Sequence, residues 1–192
     1  MARPRDPRAD EAIIGAVLDL LAESGFGRFT MDDVAAAAGV GKATIYRRWP
    51  SKERLVLDAL SSGRKPVASV DNGSLRDDLL ELYRPNVGER AQETTMRLMP
   101  ALAVEAATDP DVRARLRAFV GDRRRPAREA FARAKDRGEI ADGVDVEASI
   151  DLLTGSVVNR LFFTGNPVDE PFLDTVLDIV LRGIGAAVPA RR

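Results

Sequence analysis

The residues with the densest chemistry lie between Gly39 and Arg54. Lys42, Arg47, Arg48, Lys52 and Arg54 are opposed only by Glu53. Five cations against one carboxylate leave +4 over this stretch, in a chain of formal charge −1. Thr44 and Tyr46 add hydroxyl donors among them. Ammonium, guanidinium and phenol groups gathered this way suit phosphate oxygens and base edges, the groups that a nucleic-acid duplex presents. They do not suit nucleophilic catalysis. The 192 residues include no histidine and no cysteine, which removes Ser-His-Asp and Cys-His mechanisms and Cys/His zinc sites. Asp77, Asp78 and Glu105 offer carboxylates, but nothing in their spacing sets two about a substrate. The expectation is a protein that is not an enzyme and holds neither metal nor cofactor.

The elements that must position these groups read as helices throughout. From about Asp10, Ile13, Ile14, Val17, Leu18 and Leu21 recur at helical spacing, and Gly25 supplies a stop. Ahead of them, residues 1–9 form a basic arm whose prolines predict no helix. Thr30-Met31-Asp32-Asp33 resembles a capping box with Asp in place of Glu or Gln. It opens an alanine-rich helix to about Ala38. Gly39 is free to turn with positive φ, and a short helix over about Lys42–Trp49 follows. Pro50 ends it and Ser51 caps a fourth helix running to about Leu60. Helix, glycine-bearing turn, helix is the helix-turn-helix signature.

Residues 63–73 read as a polar connector between a domain at 1–62 and another at 74–192. In the second domain Leu75, Leu79, Leu82 and Tyr83 form one stripe. Met96, Met99, Leu102 and Ala103 form another, kinked at Pro100. Asp109-Pro110 caps a long segment that Pro126 is expected to interrupt. Asp145 caps a helix over about Val146–Phe163, and Asp169 or Glu170, ahead of Pro171, starts the last one. The fold class is all-α. No apolar run is long enough to span a bilayer, and Asp6, Asp10, Glu11 and Asp19 break any secretory signal pattern. A cytoplasmic location is expected, with no membrane partner. The run Arg123–Arg125 alternates with carboxylates and reads as a solvated helix face.

The stretch Thr30–Leu55 closely resembles the DNA-binding segment of the TetR (TetR/AcrR-type) family of transcriptional repressors. The shared pattern is T-hydrophobic-x-x-hydrophobic-A-x-x-A-G-V, then T-hydrophobic-Y-x-x-F and a K-[ED]-x-L tail. Two departures stand out: Gly41 replaces the usual Ser or Thr, and Trp49 the usual Phe. On the short third helix, Ile45 and Trp49 share a face and anchor it to the core. Lys42, Ala43, Thr44, Arg47 and Arg48 are then left to the duplex. Tyr46 can donate to a phosphate, and Lys52 with the first amides of the fourth helix offers a further phosphate site. The resemblance implies backbone or base contacts at Thr44, Tyr46 and Lys52, and a phosphate contact at Thr30.

It also implies a homodimeric repressor of an inverted-repeat operator in double-stranded DNA, released by a small-molecule effector. A symmetric dimer matches two half-sites. Leu173, Val176, Leu177, Val180, Leu181 and Ile184 cover more than one face of the last helix. With Val157 and Leu161 on the preceding helix they are the expected dimer interface. Met96, Met99, Phe119, Ser156, Asn159 and Arg160 are candidate liners of an effector pocket.

Overall fold

In the computed structural model the described residues are 7–62 and 70–185. Residues 1–6 of the expected arm and 63–69 of the connector lie outside them. Among the described residues, nine α-helices and three short helical turns account for the architecture, with no strand.

Two separate cores organise the chain. The first gathers the described residues of Met1–Pro66 together with Glu93–Gly121. Helix α1 (Pro7–Ser24) starts earlier than its apolar spacing predicts. A proline in the first turn lacks only an N–H that has no helical partner there, so Pro7 is compatible with helix. Gly25, at φ 77°, ends α1, and a 3-10 turn (Phe26–Arg28) leads to α2 (Met31–Ala37). Thr30 caps α2 through a complete capping box. Its hydroxyl accepts from the Asp33 amide at 3.2 Å, and its own N–H donates to the Asp33 carboxylate at 2.8 Å. Gly39 turns at φ 66° into α3 (Lys42–Tyr46), and α4 (Lys52–Ser62) follows. The Arg54 amide donates to the Ser51 hydroxyl at 3.2 Å, so Ser51 caps α4 as its type predicts.

Ile13, Val17, Val34, Ile45, Leu55, Val56 and Leu57, all without exposed surface, are the centre of this first core. Leu98, Leu102 and Ala106 of α6 (Glu89–Thr108) and Val112 and Phe119 of α7 (Pro110–Asp136) complete it. This differs from the contiguous division at residues 62 and 74. The four helices of residues 7–62 do not enclose enough apolar surface by themselves, and segments from beyond the connector supply the remainder. Asp109 caps α7 as expected, accepting from the amides of Asp111 and Val112 at 2.8 and 3.2 Å. Pro126 does not interrupt α7. A helix of 27 residues runs through it, forfeiting the hydrogen bond that a proline nitrogen cannot donate.

The second core belongs to the described residues of Val67–Gln92 with Asp122–Arg192. Here α5 (Leu75–Tyr83), capped by Ser74, packs on α9 (Glu170–Gly183), capped by Asp169 with Pro171 in its first turn. Helix α8 (Val146–Asn159), capped by Asp145, packs on α9 too. It passes into a wider π-turn (Arg160–Thr164) that Gly165 ends at φ 66°. Leu79, Phe131, Ile150 and Leu177 lie at the centre with no exposed surface. The carboxylate of Asp78, also fully buried, accepts from the Asn72 amide at 2.6 Å and the Arg133 guanidinium at 3.0 Å. A buried charge so paired avoids the cost of an isolated one. Helix α9 ends at Gly183, and Ile184 and Gly185 turn the chain at the end of the described residues.

Candidate nucleic-acid interface

Helix α3 has five residues and no side-chain N-cap, because Gly41 stands at that position. So short a helix is not stable alone. Its placement comes from two anchors. Ile45 is fully buried and Trp49 is 8% exposed. Beyond Tyr46 the amides of Arg48 and Trp49 both return to the Ile45 carbonyl at 2.9 Å, which carries a tight turn on to the tryptophan. The anchors hold the opposite face outward. Lys42, Ala43, Tyr46 and Arg47 are exposed, and Thr44 is half-buried. Tyr46, 49% exposed, carries its phenol at the surface, where a phosphate oxygen could accept from it.

Lys42 lies at the rim of this face and its ammonium pairs with Asp32 at 2.5 Å, both side chains more than half exposed. The Asp32 carboxylate raises the Lys42 pKa above the ordinary lysine value. Thr30 is exposed at the start of α2, its hydroxyl shared with Asp33.

Two expected DNA contacts are engaged inside the protein. The Arg48 guanidinium forms an ion pair with Asp10 of α1, and both side chains are more than four-fifths covered. Helical spacing sets Arg48 one turn from Thr44, but the chain has by then left the α-helix, and the acid on α1 draws the long side chain inward. The Lys52 ammonium donates to the backbone carbonyls of Phe26 and Phe29. It also sits over both phenyl rings, 4.4 and 4.1 Å from their centroids. Burial pushes the Lys52 pKa below the usual lysine value. Lys52 thus fastens α4 to the turn between α1 and α2, where two aromatic rings and two free carbonyls offer a closer partner than a phosphate.

The expected dimer residues divide in two. Leu173, Leu177, Val180 and Leu181 are buried in the chain's own second core. They have almost no surface to offer a partner, so this part of the apolar coverage on α9 is an internal requirement. Val157, Leu161, Val176 and Ile184 are half-buried. The apolar side chains that do face outward on these elements are Leu152, Val158, Phe163 and Ile179, from 39% to 79% exposed. Sequence reasoning missed them. The spacing Phe172, Val176, Ile179 on α9 is a second helical stripe beside the buried one, and that signal was available.

The pocket candidates belong to different units. Met96, Met99 and Phe119 lie in the first, with Phe119 buried in its core and Met96 exposed. Ser156, Asn159 and Arg160 lie in the second. The Ser156 hydroxyl donates to the Leu153 carbonyl at 2.8 Å, and the Arg160 guanidinium stacks 3.6 Å over the Phe172 ring. Asn159 is exposed.

A capped helix, a glycine turn and a second short helix with its outer face presented to solvent define a helix-turn-helix DNA-binding protein. The family model for bacterial regulatory proteins of the tetR family matches residues 13–59. That for the tetracyclin repressor-like C-terminal domain matches residues 69–180. The chain is 38% identical over 183 residues to the HTH-type transcriptional regulator Rv1556 of Mycobacterium tuberculosis, covering 93% of this chain and 88% of that one. It is 32% identical over 176 residues to the DNA-binding transcriptional repressor TetR of Mycobacteroides abscessus, covering 88% and 90%. The crystal structure of the TetR family transcription regulator SCO0332 superposes with a TM-score of 0.72 at 32% identity, covering 95% of this chain and all of that one. The chain belongs to the TetR family of transcriptional regulators. It is a DNA-binding transcriptional regulator, and no helix among the described residues is long and apolar enough to cross a membrane.

Proposed function

We propose that α3 reads one half of an inverted-repeat operator, as part of a homodimeric repressor that a small molecule releases from DNA. The observation that carries this reading is the outward face of α3. Ile45 and Trp49 pin one side of it, and Ala43, Tyr46 and Arg47 are presented on the other. A helix so held fits the major groove, where each base pair has its own donor and acceptor pattern. Arg47 supplies a base-edge donor, Tyr46 and Lys42 supply phosphate contacts, and Thr30 a further phosphate contact at the start of α2. Arg48 and Lys52 hold the reader's shape instead. The reading needs no catalytic step and places the protein beside the genome, in the cytoplasm.

Dimerisation falls to the outward apolar residues of the second unit, Leu152, Val158, Phe163 and Ile179, with half-buried Val157, Leu161, Val176 and Ile184 at their margin. Leaving so much apolar surface in water is unfavourable, and a symmetric copy would cover it. The small molecule is proposed for the C-terminal region that the family model covers; it must bind the DNA-free state more tightly to release the operator.

The test is selection of preferred duplexes from a random DNA pool at near-physiological salt. An inverted repeat with half-sites about one helical turn apart supports the dimeric reader. Log affinity should then fall with log salt at a slope of about −0.9 per phosphate contact. A flat salt response, or no enriched sequence, overturns it. Ile179→Arg should sediment as a monomer and bind the repeat poorly. A dimer that persists in that variant overturns the interface.

A further inference from the structure

Helices α4 and α7 carry two ion pairs with the same sequence offset. Arg54 on α4 meets Asp111 on α7 at 2.7 Å, and four residues later on both helices Asp58 meets Arg115. The sign alternates, cation then anion on α4 and anion then cation on α7. The equal step of four residues means that the two helices run in the same direction here, each offering one face to the other. Asp109, the cap of α7, adds a longer contact to Arg54 at 3.7 Å. The second rung does not stop at α7. The other oxygen of the Asp58 carboxylate accepts from the indole N–H of Trp49 at 2.9 Å. One carboxylate therefore joins the residue that anchors the end of the reading segment to a guanidinium on α7.

We propose that Asp58 and Arg115 are positioning residues for DNA recognition, acting through Trp49. The proposal rests on α3 being the reading helix. Its physical basis is the weakness of α3 on its own. With five helical residues and no side-chain cap, the angle at which α3 presents Tyr46 and Arg47 is set by Ile45 and Trp49. Ile45 is held by apolar packing, which tolerates rotation. Trp49 is held by a directional hydrogen bond as well, and its indole is nearly buried. A buried N–H that loses its acceptor is costly, so the ring turns to find another and the segment moves with it. Arg115 determines where the carboxylate points. Arg115 and Asp58 act on specificity although neither belongs to the face that meets the bases.

The test uses the full chain and variants of Arg115, whose side chain is half exposed and whose replacement leaves the core intact. Trp49 is the sole tryptophan, so its emission reports the indole without a label. Arg115→Ala should shift that emission in the absence of DNA. It should also lower the ratio of affinities for the selected duplex and for a random duplex of equal length by about tenfold, the scale of one buried donor left unpaired. The salt slope on random DNA should not change, because no phosphate contact is removed. Arg115→Lys should restore the emission and most of the ratio. In a Trp49→Phe background Arg115→Ala should have no further effect on the ratio, the non-additivity that marks a shared path. Unchanged emission in Arg115→Ala, equal losses on both duplexes, or additive losses with Trp49→Phe overturn the proposal. The emission arm needs no DNA, so failure of α3 as the reader and failure of this relay give different results.

Discussion

Two arginine-rich stretches, 42–54 and 123–128, look alike in the sequence and end differently in the structure. In α7, Arg124 and Arg128 reach across to α8, where Glu147 accepts from Arg124 at 3.2 Å and from Arg128 at 2.5 Å, and Asp151 pairs with Arg124 as well. Arg125 takes Glu129 one turn along its own helix at 2.9 Å. The Arg128 guanidinium holds the Glu147 carboxyl below its usual pKa. This charge serves helix packing. In the N-terminal stretch, Arg48, Lys52 and Arg54 are likewise held by acids or carbonyls of their own unit. Only Lys42 and Arg47 of its five cations are exposed, and Lys42 shares its charge with Asp32. A count of +4 therefore overstates the reading face. What separates the two stretches is one short helix whose outer side has been kept clear of partners large enough to cover it.

The comparison breaks most visibly through paired substitutions. Tyr46→Ala with Arg47→Ala should weaken binding to the selected duplex by about a hundredfold, two lost contacts of roughly 1–3 kcal/mol each. Arg124→Ala with Arg128→Ala should leave affinity within about twofold, since exposed pairs contribute little. Filter binding or fluorescence anisotropy on the two double variants and the parent protein compares them directly, and equal losses would erase the distinction.

Lys52→Met comes next. Losing two charge-assisted hydrogen bonds and two ring contacts should cost about 2 kcal/mol in denaturant unfolding. The salt slope of DNA binding should stay as it is. A slope reduced by about 0.9 per site would mean that Lys52 meets a phosphate after all.

Arg48→Ala and Asp10→Ala should each destabilise by about 1–2 kcal/mol, and together by less than the sum, because each removes the same pair. Base preference in a mutated-site binding panel should be unaltered; a relaxed preference would return Arg48 to the reading face.

The smallest effect belongs to Asp33. Hydrogen bonds from the Thr30 amide and then the Thr30 hydroxyl hold its carboxyl below the ordinary range. A lowered folded pKa adds stability above the unfolded carboxylate value and loses it as pH falls through the folded one. Asp33→Asn should flatten the acid limb of the melting temperature against pH. An unchanged limb would show that the capping box does not contribute there.

Legibility followed distance along the chain. Thr30, Ser51, Asp109, Asp145 and Asp169 are caps in the structure where their types and the following residues predict caps, because each hydrogen bond closes within a few residues. Burial of Ile45 and Trp49 agrees with their four-residue spacing, although a tight turn and not the helix carries the chain to Trp49. Long side chains were not legible in the same way. Arg48 and Lys52 have enough reach to select among partners, and those partners, Asp10 and the carbonyls of Phe26 and Phe29, lie 38, 26 and 23 residues away. The division of α9 between core and surface failed for a related reason. Apolar residues on both of its faces give one broad pattern, and only the positions of α5 and α8 decide which face is internal.

The first core closes only with Leu98, Leu102, Ala106, Val112 and Phe119. During synthesis the reading helices therefore emerge well before the residues that seal them, and their apolar interior waits for roughly sixty more amino acids to leave the ribosome, a delay of several seconds at ordinary elongation rates. The same arrangement governs recombination. A gene fusion joined at the connector would graft a reader with a missing wall, whereas one that carries α6 and the first half of α7 along would transfer it whole.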